Sequence, residues 1–375
     1  MIDMVGLPQQ YKKFKRELDE AVIGVMENAN YINGSEVKTF AEKLQTYLNI
    51  ESVITCANGT DAIQLALMAL DLKPGEEVIT SAFSFVAPAE AALLLGLKPV
   101  FVDVDEYSFN MDCKKIEALI TPKTKVIIPV HLFGQGADME AVMRIAQKYN
   151  LYVIEDVAQS LGSEYYIAGK NKKLGTIGTI GCTSFFPTKN LGCFGDGGAC
   201  YTDNKEIAEK IKIHAKHGSK IKYFHDEIGI NSRLDTIQAA ILLVKLKYIN
   251  NFIATRINIA NQYDSIFKNM SGIVIPKLQT GTYHTYNQYT IRVLNGKRNS
   301  LKEFLHKNNI STQIYYPAPL HNQNVFRKHS KKRYSCPVSE KLCEEVLSLP
   351  NSTELTQEQI NYIIEKVISF IHNTH

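Results

Sequence analysis

One stretch decides how this chain folds: Leu151-Tyr152-Val153-Ile154-Glu155-Asp156-Val157-Ala158-Gln159-Ser160. It opens with an apolar, strand-like run that lacks strict alternation with polar residues, which is typical of a strand covered on both faces. Asp156 follows directly. A carboxylate at the end of a buried strand is costly unless it has a partner. Asp156 is therefore either a helix N-cap or part of a binding site.

The sequence before this stretch alternates short apolar strands with amphipathic helices. Strands are expected at 52–56, 77–80, 99–104, 125–130 and 151–155, and helices at 60–70, 87–95, 112–120 and 138–149. This pattern indicates an α/β fold, with a parallel sheet covered on both faces and right-handed crossovers. Ligands bind such sheets beyond the carboxyl ends of the strands, where Asp156 and Asn58-Gly59-Thr60 both fall.

The pattern changes after Tyr201. Helices are expected at 205–216, 233–249, 300–308, 339–347 and 356–371, and strands at 286–294 and 312–316. We therefore expect two domains, a large one over residues 1–250 and a smaller C-terminal one over residues 251–375.

Composition narrows the class of protein. The 375 residues are 45% hydrophobic and 21% charged, as in ordinary globular proteins. The net charge of +4 is small, and the densest basic run, 327–333, is interpreted as a solvated loop, so no nucleic-acid partner is expected. There is no signal-peptide pattern and no membrane-length apolar run. Seven cysteines without CxxC pairs indicate reduced thiols and no metal site. We expect a cytoplasmic protein without membrane contacts.

Lys189 lies in the run Ser184-Phe185-Phe186-Pro187-Thr188-Lys189-Asn190-Leu191-Gly192. Most lysines are solvated surface groups, so a lone lysine would mean little. A carboxylate able to hold a protonated pyridine nitrogen and a lysine able to form a Schiff base are together what a pyridoxal phosphate (PLP) enzyme needs. Asp156 would make the ring an electron sink, and Lys189 would also carry a proton between substrate and cofactor.

Three further segments fit a phosphate and a flat ring, although each has a simpler explanation. The turn Asn58-Gly59-Thr60 precedes an expected helix whose N-terminus favours a dianionic phosphate; the alternative is an ordinary helix cap by Asn58 or Thr60. Phe85 could stack on a heterocycle or pack in the core. The glycine-rich segment 192–198 leaves space around Lys189, or is simply a hairpin-like connection.

Taken in order, these motifs resemble the DegT/DnrJ/EryC1/StrS family of PLP-dependent sugar aminotransferases. The similar segments cover nearly the whole chain and are Gly34–Val37, Asn58–Ala62, Asp156–Ser160, Ser184–Gly198, Asn231–Asp235 and Tyr316–His321. The resemblance implies the fold type I of PLP-dependent transferases, with an N-terminal arm and a mostly parallel seven-stranded sheet in the large domain and a smaller C-terminal α/β domain. It also implies a homodimer with shared active sites.

The resemblance implies roles for particular residues. Lys189 and Asp156 would be catalytic, with Lys189 forming the Schiff base and Asp156 binding the pyridine nitrogen. The cofactor-binding residues would be Gly59, Thr60 and Ser184 at the phosphate, Phe85 against the ring, Gln159 at the ring hydroxyl, and Asn231 reaching the phosphate of the neighbouring subunit. The sugar nucleotide would be lined by Arg233, Tyr315, Tyr316 and His321. Relatives often have His at the position of Tyr315, so different contacts with the sugar are expected there.

The implied reaction moves an amino group from L-glutamate, through pyridoxamine phosphate, to a keto sugar nucleotide. The expected acceptor is UDP-2-acetamido-2-deoxy-3-oxo-D-glucuronate, for lipopolysaccharide O-antigen or another surface polysaccharide. The alternative acceptor is a dTDP- or UDP-linked 3-oxo or 4-oxo deoxysugar. A PLP-dependent dehydratase or decarboxylase and a non-catalytic PLP-binding protein stay open, although Lys189 argues against the dehydratase branch, which has His in its place.

Overall fold

The structure is a computed structural model that describes residues 1–329 and 333–374. Lys331 and Lys332 of the expected basic loop lie outside the described residues. The α-helices are, in chain order, α1 (Leu7–Asn28), α2 (Ser35–Leu48), α3 (Gly59–Met68), α4 (Ala87–Leu94), α5 (Met139–Tyr149), α6 (Lys205–His214), α7 (Thr236–Leu246), α8 (Ile249–Phe267), α9 (Arg298–Lys307), α10 (Asn324–His329), α11 (Pro337–Glu345) and α12 (Gln357–Thr374).

The strands are, in chain order, β1 (Ser52–Cys56), β2 (Glu77–Ser81), β3 (Lys98–Val102), β4 (Thr124–Ile128), β5 (Tyr152–Asp156), β6 (Glu164–Ile167), β7 (Lys170–Lys173), β8 (Ile180–Ser184), β9 (Gly198–Thr202), β10 (Ile273–Val274), β11 (Thr282–Tyr283), β12 (Tyr289–Val293) and β13 (Val346–Leu349). They form a seven-stranded main sheet and two small sheets, in the orders β10-β12-β13 and β11-β6-β7.

The main sheet has the strand order β1-β9-β8-β5-β4-β2-β3. Only β9 runs against its neighbours, and the other adjacent pairs in the sheet are parallel. The expected mostly parallel sheet of seven strands is therefore confirmed. Because six strands share one direction, the carboxyl ends of β1, β8, β5 and β2 lie at the same edge, and this edge carries the candidate site.

Helices cover both faces of the main sheet. Neighbouring residues of β4 show this division, because Ile127 packs into a core with α2, α5 and α7 while Val126 and Ile128 pack with α3, α4 and α6. Full burial of such side chains contributes about 1.5–3 kcal/mol each. Asp138 caps α5 by accepting a hydrogen bond from the Ala141 N–H (3.0 Å), and Asn150 ends that helix in the left-handed conformation.

A separate core lies in the C-terminal part of the chain. Helix α8 connects the two, because Ile253 near its start packs with the main-sheet core while Tyr263 and Phe267 pack with residues of β12, α9 and α12. The boundary expected at residue 250 stays a prediction, and α8 runs through that position. No single described helix is long and apolar enough to cross a membrane, but α7 and α8 together, bent by 62°, meet that length and composition.

Several expected elements differ from those observed. Residues 112–120 form two 3₁₀ turns, Cys113–Lys115 and Glu117–Leu119, instead of one helix, and Asp112 caps the first turn through the Lys114 N–H. Residues 312–316 form a single bridge from Gln313 to Ser348 instead of a strand, since the aromatic side chains that follow turn toward the main sheet.

Two expected helices contain boundaries that periodicity did not reveal. The helix expected at 233–249 is α7 followed, after a bend, by the start of α8. The helix expected at 339–347 ends at Glu345, and its last apolar residues belong to β13. In both cases an apolar run continues through a change of direction because both elements are buried, so the periodic signal does not mark the break.

Candidate active site

The carboxyl edge of the main sheet brings together residues that are far apart in sequence. Asp156 is the last residue of β5 and Ser184 the last of β8, while Gly59 follows β1 and Phe85 follows β2. Strands β8 and β5 are adjacent, and Ser184 pairs with Gly198 at the start of β9. Topology alone therefore places these candidate residues along one edge.

Asp156 is a buried carboxylate with a single internal donor. Its Oδ1 accepts a hydrogen bond from the Ala158 N–H at 3.0 Å. This is the bond that a helix cap would make, but residues 158–162 form turns, so the helix-cap interpretation fails. Burial raises the pKa of Asp156, and the Ala158 bond and the charges of Lys189 and His131 oppose that rise without cancelling it. The site therefore favours a cationic partner for this carboxylate.

Lys189 presents a free amine to this edge. Its side chain is half-buried, and within the described residues its Nζ makes no hydrogen bond or ion pair. Desolvation by the surrounding protein lowers the pKa of Lys189, and the nearby charge of Asp156 opposes the shift. A lowered pKa makes the neutral, nucleophilic amine more accessible at neutral pH.

The turn between β1 and α3 forms a narrow cradle. A side chain on Gly59 would bring its Cβ to 2.7 Å from the Cβ of Ser184, so only glycine fits at that position. The chain then enters α3, whose N-terminus favours an anion. Asn58 accepts a hydrogen bond from the Asp61 N–H (2.8 Å), so the helix-cap interpretation is correct for Asn58, and the predicted phosphate contacts of Gly59, Thr60 and Ser184 stay a prediction.

Gln159 connects the carboxyl edge to the aromatic side chains of Tyr316 and Phe85. Its Oε1 accepts a hydrogen bond from the Phe133 N–H (2.8 Å), and its Nε2 donates to the Tyr316 hydroxyl (3.0 Å). The Tyr316 ring lies 6.4 Å from that of Phe85, and the Phe85 side chain is 54% exposed. Phe85 is therefore an exposed aromatic surface at the edge of the site, and the core-packing explanation fails for it.

The predicted substrate residues are placed less uniformly. Tyr315 and Tyr316 pack against a buried hydrophobic cluster, and this burial raises the pKa of both hydroxyls. His321 is buried, and its Nε2 lies 3.0 Å from Glu340 on α11. Of the predicted substrate residues, Tyr316 is the one with a described direct contact to a predicted cofactor residue.

Asn231 and Arg233 have no described hydrogen bond or ion pair with the other predicted site residues. Both are exposed, and the buried Ser232 between them accepts a hydrogen bond from the Ala57 N–H (3.0 Å), which attaches the segment to the β1–α3 turn. Arg233 lines a surface groove of about 440 Å³ together with Lys38, Lys212 and Lys216. A purely structural role for Arg233, at the start of its helix and paired with Asp235, is the alternative to substrate binding; among the described ion pairs, none joins Arg233 to Asp235.

Sequence reasoning missed residues that support the site from behind. Phe133 positions Gln159 through its backbone N–H and has a left-handed conformation (φ 59°). Asn190, next to Lys189, donates hydrogen bonds to the Leu161 carbonyl (3.1 Å) and the Thr285 hydroxyl (2.9 Å). The asparagine next to the candidate lysine could have been noticed in the sequence. Phe133 contributes only its backbone N–H to the contact with Gln159, so the sequence held no signal for it.

Comparisons with known proteins decide the family. The model of the DegT/DnrJ/EryC1/StrS aminotransferase family matches residues 12–368. The chain belongs to this family. The predicted family and enzyme class are confirmed, and the chain is an aminotransferase.

Three curated relatives match nearly end to end. A pleiotropic regulatory protein of Geobacillus stearothermophilus is 44% identical over 98% of both chains. The UDP-2-acetamido-2-deoxy-3-oxo-D-glucuronate aminotransferase of Pseudomonas aeruginosa is 43% identical over 97% of this chain and 98% of the relative. The UDP-N-acetyl-3-dehydro-alpha-D-glucosamine 3-aminotransferase of Acidithiobacillus ferrooxidans is 40% identical over 99% and 98%.

Solved structures agree with the fold and with the cofactor. A DegT/DnrJ/EryC1/StrS aminotransferase from Brucella abortus has a TM-score of 0.94 at 39% identity and covers 99% of this chain and all of that one. Bacillus subtilis NtdA, solved with bound pyridoxamine phosphate, has a TM-score of 0.88 at 32% identity and covers 98% of this chain and 83% of that one. Fold type and PLP dependence are therefore confirmed.

The residues of this chain fit that cofactor. Gly59 allows the close approach of Ser184 at the N-terminus of α3, where an anion such as a phosphate is favoured; among the described residues, the Lys189 amine has no hydrogen-bond or ion-pair partner and the buried Asp156 carboxylate has one donor. When bound, PLP supplies a carbonyl that condenses with amines and a ring that withdraws electrons. Asp156 would hold the protonated ring nitrogen, Phe85 would cover the ring, and Lys189 would bind the carbonyl carbon and then move a proton at Nζ.

Proposed function

We propose that the enzyme transfers the amino group of L-glutamate to UDP-2-acetamido-2-deoxy-3-oxo-D-glucuronate, giving the 3-amino sugar and 2-oxoglutarate. The observation that carries the proposal is the 43% identity, over nearly the whole chain, to the Pseudomonas aeruginosa enzyme named for that acceptor. The free Lys189 amine beside a buried Asp156 supports transfer chemistry in this chain itself.

The two substrates use the same residues in turn. Lys189 returns a proton to the substrate or cofactor carbon in each half-reaction, which a neutral amine in a partly desolvated site can do. Gln159 is held by Phe133 and Tyr316, so its remaining amide N–H can face the ring hydroxyl. Asp156 keeps its negative charge when a cationic ring nitrogen is its partner, despite the burial that raises its pKa.

A homodimer completes the site in this proposal. Asn231 and Arg233 are exposed, and neither forms a described hydrogen bond or ion pair with the predicted site residues of its own chain. The loop before them exposes large apolar side chains, namely Ile221, Tyr223, Phe224 and Ile228 at 66–87%. Such a patch on one loop supports a contact with a second copy. Asn231 would then reach the neighbouring phosphate, and Arg233 would pair with the sugar carboxylate.

The expected setting is the cytoplasm, where nucleotide sugars and glutamate are available. The product would supply an amino sugar for lipopolysaccharide O-antigen or a related surface polysaccharide. The 40% relative from Acidithiobacillus ferrooxidans supports a second candidate, a neutral UDP-linked 3-oxo sugar without the carboxylate. Arg233 distinguishes the two, because both acceptors carry the UDP diphosphate but only the uronate offers a carboxylate on the sugar ring.

A half-reaction assay tests the proposal. Enzyme loaded with pyridoxamine phosphate is offered UDP- and dTDP-linked 3-oxo and 4-oxo sugars, with and without the carboxylate, and the return of PLP absorbance marks transfer. The UDP-3-oxo-uronate should react at least about tenfold faster than its neutral analogue, since a charge-assisted pair contributes about 1.5–3 kcal/mol. Faster reaction of a 4-oxo deoxysugar would overturn the acceptor and leave the aminotransferase assignment intact.

Arg233→Met sharpens this test, with Lys212→Met in the same groove as the matched control. Arg233→Met should slow the uronate selectively and leave the glutamate half-reaction unchanged. Equal slowing of the uronate and its neutral analogue would remove Arg233 from carboxylate recognition. Sedimentation or light scattering of the wild type checks the dimer, and a monomer at assay concentration would contradict it.

A further inference from the structure

A second buried lysine lies beneath the loop that carries Lys189. Lys245, on α7, is 2% exposed. Its Nζ donates a hydrogen bond to the Gly192 carbonyl at 2.7 Å and lies 4.9 Å from the centre of the Phe194 ring. In the described part of the chain, no carboxylate forms an ion pair with it. The amine is therefore held by one carbonyl and one aromatic ring.

This arrangement is costly for the folded state. Burial lowers the pKa of Lys245 to about 8, and the Cys193 thiol opposes the shift. An ammonium without a carboxylate partner disfavours burial, and an apolar side chain of similar length would fill the same space without that penalty. Stability alone does not explain a lysine at this position.

The bonded carbonyl belongs to the segment that sets the direction of Lys189. Gly192 packs back against Pro187, since a Cβ on Gly192 would lie 2.4 Å from the Pro187 carbonyl oxygen. The Lys189 N–H donates to the Phe186 carbonyl (2.9 Å) inside the same turn. Residues 186–192 are thus one compact unit, and a displacement of the Gly192 carbonyl would move the Lys189 backbone.

Helix α7 contacts this unit at a second point. Gln238, two turns before Lys245 on α7, accepts a hydrogen bond from the Phe194 N–H at 2.8 Å. On the other side, Asn190 ties the unit to Leu161 and Thr285. Of these two contacts from α7, the bond from Lys245 reaches Gly192, which is nearer in sequence to Lys189 than Phe194 is. It is also the buried one, whereas the bond of Gln238 is exposed.

We propose that Lys245 is a positioning residue, which holds the Gly192 carbonyl so that the Lys189 amine meets the cofactor carbonyl in a reactive direction. Lys245 touches neither cofactor nor substrate. The proposal concerns the capture of PLP by Lys189 and does not depend on the acceptor sugar. Misdirection of a reacting group by about 1 Å can slow its reaction by about a hundredfold, so a single anchor is enough to matter.

The test compares apo-enzyme variants by cofactor capture. Lys245→Met keeps the length of the side chain and removes the donor. Lys302→Met is the matched control, because Lys302 also donates to a carbonyl, that of Thr312 (3.2 Å), but in the C-terminal part of the chain. PLP is added, borohydride traps the bond to Lys189 at timed intervals, and the labelled peptide is quantified. Thermal unfolding of each apo-protein is measured alongside.

Lys245→Met should keep or raise the apo-protein Tm and slow capture at least about tenfold, while Lys302→Met captures PLP at the wild-type rate. Wild-type capture in Lys245→Met overturns the proposal. Slow capture with a lowered Tm would assign a structural role and overturn it as well. If Lys245→Met does not fold, Lys245→Gln decides, since its amide falls short of the carbonyl by about one bond of ~1.5 Å; normal capture in that variant overturns the proposal.

Discussion

Glu155 and Asp156 are consecutive carboxylates on β5, yet the protein treats them in opposite ways. Glu155 is fully buried and accepts backbone hydrogen bonds from Gly175 (2.8 Å), Ile177 (2.8 Å) and Gly178 (2.6 Å). It also lies 3.0 Å from His131 Nε2, whose proton is available because His131 Nδ1 accepts the Ala137 N–H. Asp156 accepts one backbone bond.

The pKa shifts follow this difference in donors. Burial acts to raise the pKa of both groups. At Glu155 the hydrogen bond from His131 and the backbone donors outweigh burial and lower the pKa, whereas at Asp156 burial prevails. The chain therefore satisfies the Glu155 carboxylate internally and leaves the Asp156 carboxylate, which we propose to be catalytic, with a single described donor. A buried acid with few internal partners is the informative one.

Removing the Lys189 amine, which lies near the charge of Asp156, should have the largest effect. Lys189→Ala deletes both the nucleophile and the proton carrier, so turnover should fall by about a thousandfold or more. Overall amino transfer is measured with glutamate and the accepted sugar, and circular dichroism checks the fold. Activity within tenfold of wild type would remove Lys189 from the chemistry.

The second-largest effect is expected at Glu155, and it is a loss of folding stability. Glu155→Gln places an amide among four donors and removes the charge they stabilise, so the free energy of unfolding should fall by about 3–5 kcal/mol. Denaturant unfolding of the apo-protein measures this. A loss below about 1 kcal/mol would mean that the hydrogen bonds of Glu155 contribute little to stability. Glu155 would then not be the structural counterpart of Asp156.

Asp156→Asn should produce the reverse pattern. Activity should fall about a hundredfold, because a neutral amide cannot stabilise a ring cation, while the apo-protein should be as stable as wild type or slightly more so, because a poorly solvated charge is gone. Paired measurements of transfer rate and unfolding free energy are needed. A stable variant with wild-type rate would reduce Asp156 to a turn-forming residue.

The sequence identified this edge because its signals are local. The apolar strand before Asp156, the glycine turn after β1 and the lysine run each stand within a few residues, and strand topology then brings them together. The large parallel sheet could also be predicted, because the alternation of strands and helices is a local pattern as well. The candidate residues Asp156, Lys189, Gly59 and Ser184 needed no long-range information beyond a parallel sheet.

What sequence reasoning missed depends on contacts between distant segments. Glu155 differs from Asp156 only through loops at 131–137 and 175–178, which no local pattern links to β5. Lys245 occupies an ordinary position in the expected helix, and its burial follows from the packing of α7 under the 186–194 loop. The antiparallel strand β9 and the hairpin of β6 and β7 were also not predicted, because they do not belong to the alternating series of strands and helices.

The smallest effect is a difference in pH slope between the two carboxylate variants. The pKa of Glu155 is lowered on folding, so its stabilisation is complete above about pH 4.3, the unfolded value, and is lost as pH falls through the folded one. The pKa of Asp156 is raised, so folding takes up a proton above about pH 3.9, and the contribution of Asp156 to stability falls as pH rises through that window. The deficit of Glu155→Gln relative to wild type should therefore shrink in acid, while any gain of Asp156→Asn should grow toward neutral pH. Unfolding free energies of the three apo-proteins, measured from about pH 2 to 7 so that the series extends below the unfolded value of Glu155, check this. If the wild-type minus variant difference changed with pH in the same direction for both variants, the two carboxylates would share one environment and the contrast between them would fail.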